Sequence, residues 1–387
     1  MPMSVGLDVL LDERPELVHG KRIGIVSNPN GVTRSLEGIV EALPRIGAQV
    51  VALFGPEHGI RGEAQAGAHV GTTADRSSGL PVYSLYGAAH RPVPETLAGL
   101  DALVYDMQDA GARFYTYLYT MAHCMEAARD AGLPIIVLDR PNPLNGVTVE
   151  GPVIEPELDS FVGAYGLPTR YGLTIGELAR YFNTVGGIGC DLTVVPVSGW
   201  QREWWYDETG LPWILPSPNL PTVDSCLAFA GTCPLEGTNV SEGRGTTRPF
   251  EVLGAPWVDA PALARALNER GLLGVGFRAC HFVPTFSKWQ GEACHGVQLH
   301  VLDRSIFRPV RAGLEVLVAL RRLWPEQFAW RNDGKSADRL LGDRAIRAGI
   351  DAGLSPEEIE APWQPAQRRF AEVRESVLTG SLGAPDR

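Results

Sequence analysis

Short apolar runs alternate with stretches of helical spacing through the first half of the chain. Residues 21–27 (K-R-I-G-I-V-S) read as a first strand, 50–54 as a second, 81–85 as a third, 102–105 as a fourth and 133–138 as a fifth. Between them, 35–46 and 115–131 repeat apolar residues three and four apart, the spacing that gives a helix one buried face, with Ser35 as the N-cap of the first. A helix over 174–183 and a strand over 191–197 continue the alternation. Strand, polar loop and helix in this order predict a parallel sheet with right-handed crossovers, because parallel neighbours need a long connection and a helix supplies it.

Around 198–221 the texture changes to tryptophan, proline and glycine: W-Q-R-E-W-W-Y-D, then L-P-W-I-L-P-S-P-N-L-P. A domain boundary is expected here. It gives an α/β, Rossmann-like parallel-sheet domain over 1–210 and a smaller α+β domain over 211–387, with a cleft between them. In the second domain, 260–270 and 308–323 have helical spacing, and 274–282 and 296–302 read as strands.

Composition narrows the function. The formal net charge of -11 argues against a general binder of nucleic acid or anionic membrane, which needs clustered Lys and Arg. No apolar run approaches the roughly 20 residues that span a bilayer. The start of the chain lacks the basic region and apolar core of a secretion signal, so a cytoplasmic location is expected. The six cysteines form no CxxC pair and read as reduced residues. After the first strand, S-N-P-N-G-V-T stands where a dinucleotide-binding protein has G-x-G-x-x-G, so NAD binding is not expected. Histidines at neither H-E-x-x-H nor H-x-H spacing imply no catalytic metal, and no cofactor is expected. Nothing in the pattern specifies an oligomer.

The candidate chemistry lies at strand ends. The second strand stops at Gly55-Pro56, and Glu57, His58, Arg61 and Glu63 follow in one glycine-punctuated loop. In open α/β sheets that edge surrounds the ligand crevice. The fourth and fifth strands end in Asp106 with Asp109 and in Asp139, so carboxylates from neighbouring strands can converge as a glycosidase requires. Asp106 and Asp139 serve equally well as caps of the turns that follow. Arg113 reads either as a contact for an anion or as an ion pair with Asp106 or Asp109. The loop 236–248, E-G-T-N-V-S-E-G-R-G-T-T-R, can cradle a phosphate or carboxylate with Arg244 and Arg248, although it is not a P-loop. Trp200, Trp204, Trp205 and Trp213 read as sugar-stacking platforms or as plain packing.

The motifs S-N-P-N-G-V-T (27–33), L-F-G-P-E-H-G-I-R-G (53–62), Y-D-M-Q-D-A-G-A-R-F-Y-T-Y (105–117), L-D-R-P-N-P-L-N-G (138–146), S-P-N-L-P-T (217–222) and C-P-L-E-G-T-N-V-S-E-G-R-G-T-T-R-P-F (233–250) together resemble one family. It is the NamZ or YbbC-like exo-β-N-acetylmuramidases, a domain-of-unknown-function group. The resemblance implies a Rossmann-like domain, a smaller C-terminal domain and an active site between them. It also implies release of terminal N-acetylmuramic acid (MurNAc) from the non-reducing end of peptidoglycan-derived MurNAc–GlcNAc saccharides. Carried onto this chain, the family's glutamate falls on Glu57 as general acid, and its aspartate on Asp106.

Asn28, His58, Arg61, Glu63, Asp109, Arg113, Tyr115, Asn219, Glu236, Arg244 and Arg248 are the residues expected around the sugar. Arg61, Arg113, Arg244 and Arg248 are available for the lactyl carboxylate of MurNAc. Asp106 acts either as the second carboxylate or as the group that orients a participating 2-acetamido substituent. An acid at Glu57 must hold its proton near neutrality, for which Glu63 and Asp106 can supply negative charge. Two other readings stay open: a non-hydrolytic muropeptide- or sugar-binding protein, and a Mg²⁺-dependent phosphosugar enzyme built on 236–248.

Overall fold

The computed structural model describes residues 3–62, 73–87 and 90–380. After a short helix α1 (Gly6–Glu13), the alternation becomes β1 (Arg22–Ser27), α2 (Ile39–Arg45), β2 (Gln49–Gly55), β3 (Thr73–Ala74), β4 (Pro81–Ser84), α3 (Pro94–Leu97), β5 (Ala102–Asp106), α4 (Tyr117–Ala131) and β6 (Ile135–Leu138). A small antiparallel pair, β7 (Glu150–Val153) and β8 (Pro168–Arg170), precedes α5 (Ile175–Thr184) and β9 (Leu192–Val195).

The main sheet has the order β3-β4-β2-β1-β5-β6-β9, parallel except for the short antiparallel β3 at one edge. Both faces are covered. Val26, Phe54, Leu103, Tyr105 and Val137 point into the larger core, and Ile23, Ile25, Leu53, Val104 and Ile136 into the smaller one, beside Leu7 and Leu10 of α1. Burial on two sides explains why these strands read as continuous apolar runs. The chain goes from β1 to β2 on one side and later reaches β5 on the other. The switch point therefore lies between β1 and β5, where the Ser27 hydroxyl donates to the carbonyl oxygen of Asp106 at 2.8 Å.

The first predicted helix starts late. α2 begins at Ile39, with Gly38 rather than Ser35 at its N-cap. Ser35 is taken up by a turn, its hydroxyl 3.0 Å from that of Thr33, and Leu36 there has φ of 70°.

The second half comprises α6 (Val223–Thr232), β10 (Val252–Ala255), α7 (Ala260–Asn268), β11 (Val275–Phe282), β12 (Cys294–Val301) and α8 (Pro309–Leu323). The helices α9 (Lys335–Leu341), α10 (Arg344–Asp351), α11 (Pro356–Glu360) and α12 (Gln364–Thr379) complete it. The three strands form an antiparallel sheet in the order β10-β12-β11. α6 and α8 cross at glycines: a Cβ on Gly313 would lie 1.8 Å from the carbonyl oxygen of Gly231, so neither position accepts a side chain. The larger apolar core runs without a break from the sheet into this half, from Val26 to Val377.

Candidate active site

A cavity of about 790 Å³ lies where the two halves meet. Glu57, Tyr86, His90 and Phe114 to Thr116 line it from the first half, and residues between Ser217 and Leu340 line it from the second.

β2 delivers Glu57. The chain doubles back after Gly55, whose Cβ would meet the Ile60 nitrogen at 2.8 Å, and His58 takes the left-handed conformation with φ of 74°. A non-glycine residue there stores strain, which places Glu57 at a defined spot beyond the strand. Its Oε2 accepts from the Thr116 hydroxyl at 2.9 Å, and its carbonyl oxygen accepts from Tyr117 at 3.2 Å. The Tyr86 hydroxyl also bonds its carboxyl; burial first, and then the charge of Glu57, push the Tyr86 phenol up to about 12.

The opposite wall carries a charge cluster. Arg244 donates to Glu236 at 2.7 Å and lies 3.4 Å from Glu242, and Lys288 pairs with Glu242 at 2.8 Å. Lys288 also donates to the carbonyl oxygens of Leu235, Thr238 and Val240, which pins the loop bearing both glutamates. Burial raises the Glu236 carboxyl above its ordinary value, against the pull of Arg244. The floor is aromatic: Phe229 meets Phe114 and Phe250 edge-on at 4.9 and 4.8 Å.

Of the residues read from the sequence, Glu57, His58, Tyr115, Glu236 and Arg244 line this cavity. Asn28, Arg61 and again His58 line an adjoining one of about 450 Å³ together with Trp213. There Arg61 is committed to Asp75, with bonds of 2.9 and 2.6 Å. Glu63 lies outside the described residues.

The others sit elsewhere. Asp106 is buried and gripped by Arg140 at 2.5 and 2.9 Å, so it fixes the switch point and does not reach the cavity. Asp109 is buried against the Tyr171 hydroxyl and the Gly111 amide, and burial pushes its carboxyl up to about 6. Asp139 accepts from the Gly176 amide at 2.7 Å and the Thr174 hydroxyl at 3.0 Å, fastening the start of α5. Arg113 makes neither of the contacts expected of it. It is fully buried and donates to the carbonyl oxygens of Pro152, Leu167 and Leu340. Asn219 is buried outside the cavity, and among the described residues Arg248 pairs with Glu251, at 3.4 Å.

The tryptophans divide the same way. Trp213 borders the smaller cavity, Trp205 packs under Arg170 and Arg304, and Trp200 packs against Arg202, whereas the main cavity is faced by phenylalanines and tyrosines. The sequence reading passed over Tyr86, Lys288, Arg331 and Arg339, which also line the cavity. Thr116 and Glu242 stood inside motifs already noted, but the other four lie in segments with no local signal.

Carboxylates brought from both walls of an aromatic-floored cleft, at the C-terminal edge of a Rossmann-like sheet, mark a carbohydrate-acting α/β protein. The chain belongs to the exo-β-N-acetylmuramidase NamZ family, matching its N-terminal domain over residues 23–224 and its C-terminal domain over 227–379. It is 49% identical over 379 residues to the peptidoglycan β-N-acetylmuramidase NamZ of Bacillus subtilis strain 168, covering 97% of this chain and 91% of that one. Two crystal structures of DUF1343 family proteins from Bacteroides fragilis NCTC 9343 share the fold. One is 36% identical with a TM-score of 0.89 and the other 29% identical with a TM-score of 0.78; each match covers 97% of this chain and 98% of the other.

Proposed function

We propose that the chain is an exo-acting glycoside hydrolase that releases terminal β-linked MurNAc from the non-reducing end of peptidoglycan fragments, MurNAc–GlcNAc saccharides among them. The observation that carries the reading is the meeting of Glu57 and Glu236 in one cavity from opposite halves of the chain, each with a different kind of partner. Thr116 and Tyr86 offer Glu57 hydroxyls, which donate or accept and so suit a carboxyl that gains and loses a proton. Arg244 offers Glu236 only donors, which suits a lasting anion.

In this reading Glu57 protonates the glycosidic oxygen as the bond breaks. Glu236 faces the positive charge that develops at the anomeric carbon, either directly or by holding the 2-acetamido group as it attacks. The phenylalanine floor receives the apolar face of the sugar. Asp106 takes no part in the step: it is held by Arg140 at the switch point of the sheet. A cytoplasmic place of action fits cysteines that are all buried as free thiols, and cell fractionation tests it.

Hydrolysis of para-nitrophenyl β-MurNAc, set beside the β-GlcNAc analogue, tests the activity. Turnover confined to the MurNAc compound is the expected result. Tight binding of both sugar and fragments without turnover, on folded protein, would make it a binding protein instead.

A further inference from the structure

Four cations line the main cavity: Arg244, Lys288, Arg331 and Arg339. Arg244 and Lys288 are already held by Glu236 and Glu242. Arg331 and Arg339 are exposed and have no carboxylate within ion-pair distance among the described residues. In a protein with a net charge of -11, two arginines left open in a concave site call for a physical account.

Their backbones are fixed more firmly than surface arginines need. The Arg331 amide donates to the carbonyl oxygen of Gly237 at 2.8 Å, and Asn239 exchanges bonds with Ala329 at 3.0 Å, lacing this segment to the loop that carries Glu236. The chain then passes through three successive left-handed residues, Asn332, Asp333 and Gly334, to enter α9. Such strain persists only where surrounding contacts impose it. α9, bearing Arg339, packs backbone to backbone on the same loop: a Cβ on Gly237 would lie 2.5 Å from the Ala337 Cα. Arg113 holds the far end of α9 through the Leu340 carbonyl at 2.8 Å. The backbone at both arginines is thus tied to the loop that carries Glu236, and both side chains line the cavity. Burial lowers the ammonium of Lys288, Glu242 and Glu236 oppose that shift, and Arg331 adds a smaller downward push.

We infer that Arg331 and Arg339 form a carboxylate-reading subsite for the sugar in this cavity, and that they select a sugar bearing an acidic side arm over its neutral counterpart. The inference rests on the muramidase reading, in which that arm is the lactyl carboxylate of MurNAc. A guanidinium matches a carboxylate with paired donors and remains charged at every working pH. It replaces the expectation that Arg61, Arg113, Arg244 and Arg248 hold this group, because each of those is committed to protein partners.

The test uses the full chain and the Arg331→Gln, Arg339→Gln and double variants, with aryl β-MurNAc, its lactyl methyl ester and aryl β-GlcNAc as substrates. The double variant should raise KM for the MurNAc glycoside roughly 10- to 100-fold while kcat falls far less. It should treat acid and ester alike, as wild type does not. Arg278→Gln, outside the cavity, is the control for a change of charge. An unchanged KM in a folded double variant overturns the inference, as does an equal loss on the ester. Calorimetry with free MurNAc and GlcNAc separates this from the parent reading. If wild type hydrolyses nothing yet prefers MurNAc, and the double variant loses that preference, the subsite stands and the hydrolase reading falls; equal binding of both sugars by wild type removes the subsite.

Discussion

Arg113 and Leu340 are 227 positions apart in sequence, yet the guanidinium of one donates to the carbonyl oxygen of the other at 2.8 Å. Arg113 is fully buried with carbonyl oxygens as its partners, and burial pulls it down to about 10. A lysine keeps the charge but offers one compact ammonium where Arg113 uses Nη1 for Pro152 and Nη2 for Leu340, so it does not reproduce the planar fork. Arg113→Lys is expected to lose about 2–4 kcal/mol in urea unfolding and to raise KM more than it lowers kcat, since α9 loosens. Wild-type stability in this variant would contradict the clamp.

Glu57→Gln is expected to reduce kcat on unactivated saccharide by about 10³-fold or more while binding of free MurNAc changes little. Its activity should recover partly on aryl glycosides, whose leaving groups need less protonation. Glu236→Gln should lose activity on both substrate types. If Glu236→Gln alone shows recovery on aryl glycosides, the two roles are reversed.

Asp106→Asn separates position from chemistry. Removing the charge of one half of a buried ion pair leaves Arg140 without its counter-ion, though still bonded to the Val32 carbonyl, at a cost of about 3–5 kcal/mol. Denaturant unfolding should register that loss, while kcat of the folded fraction stays within about threefold. Intact stability with kcat abolished would return Asp106 to the reaction itself.

The carboxyl of Asp109 gives a pH signature of its own. Burial raises it from 3.8 to about 6 in the folded chain. Its contribution is therefore fully present below the unfolded value and is lost as pH rises through 6. The loss is roughly 3 kcal/mol from the width of that window. Asp109→Asn resembles the protonated form, so the stability difference between variant and wild type should move in the variant's favour between pH 4 and pH 6.5. A difference flat across that range would show that Asp109 does not titrate there.

The parallel sheet was legible because its strands are buried on both faces and so write themselves as apolar runs. Glu57, Glu236 and Arg244 were legible as cavity-lining residues because charge and glycine cluster in their loops. Ser35 misled because a helix N-cap and a turn draw on the same hydroxyl chemistry, and here the turn prevailed. Arg113 misled because a cation suggests an anion, while its partners are carbonyl oxygens supplied by tertiary packing. Arg331 and Arg339 carried no local sign at all, since only the close approach of α9 to Gly237 brings them to the cavity.

The two family matches meet between residues 224 and 227, inside α6, which is buried along most of its length and crosses α8 at glycine contact. A seam of that kind offers no linker to bend. The two halves should melt together in a single calorimetric transition, and separately expressed halves should reassociate, if at all, only by folding against each other. The cavity walls are then joined beneath by one continuous core, so binding is not expected to include the work of swinging one half over the other.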